Sequence, residues 1–98
     1  MTKADIVDVI AEATGLTKVE TEAVIDGFLS TIISALEEGQ RVEFRGFGSF
    51  SVKKRMPKKA RNPGTGEEVF LPERYVPIFK ASKILKDQIN RSLKSEEG

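Results

Sequence analysis

Apolar positions in the first 40 residues recur every three or four places, the period of a helix with one buried side. Ile6, Val9, Ile10 and Ala13 form one such series. Thr2 and Asp5 precede it with the spacing of a capping box, and Gly15 stops it. Thr17 and Glu20 repeat the box and open a second helix that ends at Gly39. There Val24, Ile25, Phe28, Leu29, Ile32, Ile33, Ala35 and Leu36 fill about 180° of the helical wheel. A surface helix facing a single core needs a stripe of only ~100°. The surplus predicts a helix buried on two sides, one against its own chain and one against a second copy.

The period then changes to two. Val42 and Phe44 alternate with Arg41, Glu43 and Arg45, and Phe50 and Val52 alternate with Ser49, Ser51 and Lys53. Gly46-Phe47-Gly48 is the tight connection between these strands. Beyond Val52 the apolar alternation dies, leaving only Met56 and Ala60 before the turn signal Asn62-Pro63-Gly64-Thr65-Gly66. Val69 and Leu71 alternate with Glu68 and Phe70, and Val76, Ile78 and Phe79 restart an apolar run. The middle therefore predicts a long hairpin with a packed base and a solvated outer half. Ser82 caps a last helix, with Ile84, Leu85, Ile89 and Leu93 on one face and frayed residues from 95 to 98. The class is α+β in one domain, residues 1–98: a helical part to about 40, sheet and arm over about 41–77, and a helix over about 82–94.

Charge sharpens that picture. Residues 1–40 carry two Lys/Arg against eight Asp/Glu, residues 41–80 ten against four, and residues 81–98 four against three. A net charge of +1 thus conceals opposed halves. Lys53, Lys54, Arg55, Lys58, Lys59 and Arg61 crowd a stretch without one acid, and a polyanion is the obvious partner. A solvated edge guarded by lysine is the simpler reading, but it would intersperse acids.

Composition also excludes. No cysteine means no disulfide or thiolate metal site, and no histidine removes the commonest general base and metal ligand. No phosphate-binding glycine loop or paired-acid constellation is visible, so neither an enzyme nor a cofactor is expected. No apolar run approaches the ~20 residues of a membrane span, and Met1 to Asp5 lacks the apolar core of a signal peptide. The expected setting is the cytoplasm.

Particular residues then carry a resemblance. Arg45-Gly46-Phe47-Gly48-Ser49-Phe50 resembles the signature turn of the bacterial HU and integration host factor family. Arg61-Asn62-Pro63 followed by Thr65-Gly66-Glu67 is similar to its arm tip, and Pro77-Ile78-Phe79-Lys80 to the stretch entering its last helix. The resemblance covers about residues 2–93. It implies an intertwined dimer whose two β-ribbon arms embrace double-stranded DNA through the minor groove, with Pro63 as the intercalating wedge at each tip. Arg61 and Asn62 would flank the wedge. Arg45, Arg74, Lys80, Lys83, Lys86 and Lys3 would join the arm cations as DNA contacts, and the protein would sit on the nucleoid. Phe28, Leu29, Ile32, Leu36, Phe44, Phe47, Phe50 and Phe79 would build the dimer interface; the four sheet phenylalanines read as core, not as base-stacking platforms.

Departures are informative. Ala60 stands where the family usually has glycine, and Ala81 and Ser82 where it usually has Pro-Gly. Arg45 and Pro57 look more like an integration host factor β subunit than a typical HU. The resulting expectation is an HU-like homodimer that bends and compacts DNA with little sequence specificity. One subunit of a sequence-preferring heterodimer, an RNA-binding module and a protein–protein adaptor stay open as alternatives.

Overall fold

The computed structural model describes residues 1–97, so the last position of the expected frayed tail, residue 98, lies outside the described residues. The order is α1 (Lys3–Thr14), α2 (Lys18–Glu37), β1 (Val42–Phe44), β2 (Gly48–Arg55), β3 (Lys58–Arg61), β4 (Glu68–Leu71), β5 (Arg74–Ala81) and α3 (Lys83–Glu97). Both capping boxes form. The Asp5 amide donates to the Thr2 hydroxyl at 3.4 Å, and the Thr2 amide donates back to the Asp5 carboxylate at 2.8 Å. Thr17 and Glu20 exchange the same pair of bonds at 3.1 Å each. Each box satisfies amides that the first helical turn would otherwise leave without partners.

The inward face of α1 differs from the periodicity. Val7 and Ala11 are the buried pair, while Ile6, Val9 and Ile10 stay 37–58% exposed. Val7 and Ala11 lie one turn apart on α1, which packs on α2. The stripe beside them has no cover in a single chain.

β1, β2 and β5 form an antiparallel sheet in that order, and β3 pairs with β4. One register runs through both ladders, from Gly48↔Ala81 at the base to Arg61↔Glu68 near the tip. The arm is thus a single hairpin, interrupted only where Pro57 stands opposite Pro72. Neither proline has an N–H to give the ladder. β5 continues to Ala81, beyond the expected limit near residue 77, because Gly48, Ser49 and Phe50 hold its end. A side chain at Gly48 would put its Cβ 2.5 Å from the Lys80 carbonyl and 2.7 Å from the Phe79 ring, so glycine is required by close approach.

Ser82 begins α3 as expected: its hydroxyl accepts from the Leu85 amide at 3.1 Å, and its own amide donates to the Phe47 carbonyl at 2.9 Å. The helix extends to Glu97, three residues past the expected end near 94, so residues 95–97 are helical rather than frayed.

A single chain of this size does not close on itself. Its radius of gyration is 18.7 Å, against about 13 Å for a compact domain of the same length. Its accessible surface is 8230 Å², where about 5,500 Å² is usual for a monomer of this mass. The rings of Phe28, Phe44, Phe50, Phe79 and Phe47 follow one another at 4.9–6.3 Å between centroids. Yet Phe28, Phe47 and Phe79 remain 42–51% exposed. Phe28, Leu29, Ile32, Ile33, Phe44, Phe47 and Phe50 line an open apolar cavity of about 600 Å³. Ile84, Ile89 and Leu93 on α3 are likewise half exposed. These surfaces are those of half a core.

Candidate nucleic-acid interface

Strand alternation sorts the cations of the arm. Residues two apart on a strand share a face, and the unbroken register carries that rule through both ladders. Lys53, Arg55, Lys59, Arg61, Arg74 and Lys80 fall on one face by register. Phe50 and Phe79 fall on the other, beside the aromatic series, as does Lys54. The aromatic side of the sheet is thus distinct from the side that carries most of the cations. Lys58, opposite Leu71, falls with Lys54 on the aromatic side, and Val76 and Ile78 share the cationic side.

At the base of the arm this face is concave. Arg41, Glu43, Arg45, Ser49, Lys80 and Lys83 line one hollow, closed by Ser82 at the start of α3. Arg45, Lys80 and Lys83 were expected to contact DNA; Arg41 was not, though its place two residues before Glu43 put it on the same face. Arg41 is 3.9 Å from Glu43, a weak exposed pair. Lys86 is exposed one turn farther along α3.

Among the described residues, Lys53, Arg55, Lys58, Lys59 and Arg61 make no ion pair. Lys54 differs, holding Glu73 at 3.1 Å across the base of the arm. Arg74 donates to the Pro72 carbonyl at 3.4 Å. Lys3 differs most. It sits at the start of α1 with its ammonium 3.0 Å from Asp26 and 3.5 Å from Glu22 on α2. The Asp26 hydrogen bond, followed by the charges of Asp26 and Glu22, raises the Lys3 pKa above its ordinary value. A phosphate reaching Lys3 would displace two carboxylates.

The tip is built by Asn62. Its side-chain oxygen accepts from the Gly64 amide at 2.9 Å, an Asx turn that clasps Pro63. Its amide donates to the Glu67 carbonyl at 2.8 Å, and its carbonyl accepts from Gly66 at 2.7 Å. Gly66 takes a φ of 75°, the conformation that closes the turn. Expected as a groove contact, Asn62 therefore also shapes the turn. Its oxygen is engaged locally, and its NH2 group alone remains to donate outward.

What this arrangement presents is charge, shape and one rigid turn. Among the described residues, no group of three or more metal-ligating side chains occurs, and no helix is long and apolar enough to cross a membrane.

Comparison with known proteins agrees with the geometry. The family model described as "Bacterial DNA-binding protein" matches residues 1–90. The chain is 44% identical over 96 residues to the integration host factor subunit beta of Hahella chejuensis, covering 97% of this chain and 98% of that protein. It is 42% identical to the DNA-binding protein HU of Thermus thermophilus, covering 93% and 94% respectively. A solved Anabaena HU–DNA cocrystal structure matches with a TM-score of 0.82 at 38% identity, covering 91% of this chain and 97% of that one. The chain belongs to the bacterial DNA-binding protein family of HU and integration host factor. It is accordingly an architectural DNA-binding protein rather than an enzyme.

Proposed function

We propose that the chain acts as a homodimer whose two arms enter the minor groove of double-stranded DNA and bend it with little regard to sequence. The observation that carries this reading is the row of unpaired cations on one exposed face of the arm, ending in a turn that presents Pro63. Pro63 is rigid and apolar, and it leaves no N–H wanting a partner between base steps. Wedging a base step open is a device of minor-groove architectural proteins, HU among them, and family membership brings it here. Unstacking costs a few kcal/mol per step, offset by the wider contact that bent DNA makes with the body.

The sheet's cationic hollow of Arg41, Arg45, Lys80 and Lys83 is where bent flanks would meet the body. Lys53, Lys54, Arg55, Lys58, Lys59, Arg61, Arg74 and Lys86 would meet phosphates, and Lys3 would do so after leaving Asp26 and Glu22. Excess surface and the uncovered aromatic series support a dimer built on Phe28, Leu29, Ile32, Leu36, Phe44, Phe47, Phe50 and Phe79. The helical dimerisation part is about residues 1–40, completed by the sheet phenylalanines. DNA contact belongs to the other side of the sheet and to the arm, and the protein works on the nucleoid in the cytoplasm.

The test is a titration of the purified chain alone against matched intact and nicked duplexes across a salt series. Tighter binding to the nicked duplex is expected, with a log–log salt slope near −0.9 per phosphate neutralised. Equal and weak binding to both would defeat the reading. Arg45 lines the hollow and resembles the residue before the turn in integration host factor β subunits. That resemblance favours a second reading: a subunit of a heterodimer with sequence preference. Strong preference for one site over its scrambled form, or poor self-association, would select it.

A further inference from the structure

Of the chain's six phenylalanines, five form the aromatic series of the sheet and α2. The sixth, Phe70, stands apart from them on β4 and is 65% exposed, more than any other phenylalanine. In the ladder it lies opposite Lys59, while Glu68 lies opposite Arg61. By alternation, Phe70 therefore shares its face with Lys59 and Arg61 and, through the unbroken register, with Arg55 and Lys53. On this face Lys59, Arg61, Glu68 and Phe70 are all exposed, and on the other Lys58 and Val69 are exposed while Ala60 and Leu71 are half buried.

A large ring set among unpaired cations is not what a solvated ribbon needs. An exposed apolar side chain on a two-stranded arm adds association risk and contributes nothing to a core. The surface that complements it must offer anions and apolar C–H groups at close spacing. The wall of a DNA groove does so, because deoxyribose faces alternate there with phosphates. We propose that Phe70 packs against the deoxyribose wall of the minor groove, inboard of Pro63, and supplies a salt-independent share of the binding energy. Lys59, its ladder partner, precedes Pro63 by four residues, which is at most about 13 Å of extended chain. At about 3.4 Å per base step, the ring reaches up to about four base pairs inside the wedge. The proposal rests on the arm-in-groove reading above.

The discriminating experiment compares the full chain with Phe70→Ser and Phe70→Leu on a nicked duplex across a salt series. Serine should weaken binding about tenfold at every salt concentration, through the loss of apolar burial alone. Its salt slope should equal that of the unaltered chain, because every phosphate stays neutralised. Leucine, which keeps an apolar surface, should stay within about threefold of the original. The proposal is overturned if Phe70→Ser binds as tightly as the unaltered chain, or if its slope flattens. A changed association state of DNA-free Phe70→Ser in sedimentation would overturn it as well, assigning the ring to contact between copies. Failure of the unaltered chain to bind with a steep slope would instead sink the parent reading, and this one with it.

Discussion

The helical base and the arm solve opposite problems within one chain. In residues 1–40, acids outnumber cations by eight to two, yet the segment is dominated by apolar faces wide enough for two partners. In residues 53–71 the apolar content is sparse, most of the cations are unpaired, and the outer strands form a two-stranded ladder of their own. The base derives its order from burial, and the apolar faces it leaves open in one chain call for a second subunit to cover them. The arm has no such source, since an isolated two-stranded hairpin is marginal in water. The difference teaches that stability and binding reside in separate places: substitutions in the base should act on folding, and substitutions in the arm on DNA.

The largest expected effect strikes the base. Phe28→Asp places a charge in the apolar cavity between α2 and β1, where burying an unpaired carboxylate costs several kcal/mol. Circular dichroism and sedimentation should show loss of both dimer and helix at micromolar protein. A folded dimer would break the comparison, because it would mean that the cavity is not part of a completed core. Gly48→Ala should follow. Its methyl would meet the Lys80 carbonyl and the Phe79 ring, and overpacking of that kind costs about 1–3 kcal/mol. The melting temperature should fall while the salt slope of DNA binding stays unchanged.

The arm should answer in the other observable. Replacing Lys58 and Lys59 together by alanine should leave the melting curve of the free protein within about 0.5 kcal/mol of the original, as for surface sites outside the core. The same change should flatten the salt slope by about two, one for each phosphate no longer neutralised. If the variant melts early and binds normally, the arm is structural and the division of labour is wrong. Pro63→Ala sharpens the point within the arm itself. Most of the affinity should survive, and ring closure of short duplexes should slow.

How far the sequence could be read follows the same division. Capping boxes at Thr2 and Thr17 and the glycine stop at Gly15 are local signals, and each falls where periodicity placed it. The order of strands and the tip turn were legible too, because Asn62, Pro63 and Gly66 have few backbone alternatives. What escaped is long range. Nothing local distinguishes Val7 and Ala11 from Ile6 and Ile10 as the buried face of α1. Nor does Lys3 announce its acids, which lie 19 and 23 residues away on another helix. The Pro57–Pro72 break was invisible as a pair because it depends on register. Phe70 reads in the sequence as one polar-side position of an alternating strand, and its exposure, matched on the arm by Met56, is not announced by that pattern.

The smallest effect belongs to the two ends of the pH scale, and it should come from the base. The Thr17 hydroxyl and amide hold the Glu20 carboxyl below its ordinary value. A group whose folded pKa is depressed contributes stability above its unfolded pKa and loses it as pH falls through the folded value. Lys3 has the opposite sign, since Asp26 and Glu22 raise it. Its contribution is complete below the ordinary lysine range and disappears as pH rises through the raised value. Thermal midpoints should therefore form a plateau with an acid edge that Glu20→Gln makes shallower and an alkaline edge that Lys3→Met makes shallower. Both groups are exposed, so each change is small. DNA adds the decisive contrast: if a phosphate takes Lys3 from its two carboxylates, Lys3→Met should flatten the log–log salt slope of DNA binding by about one. An unchanged slope would mean that Lys3 never leaves Asp26, and that DNA contact stops short of the helical base.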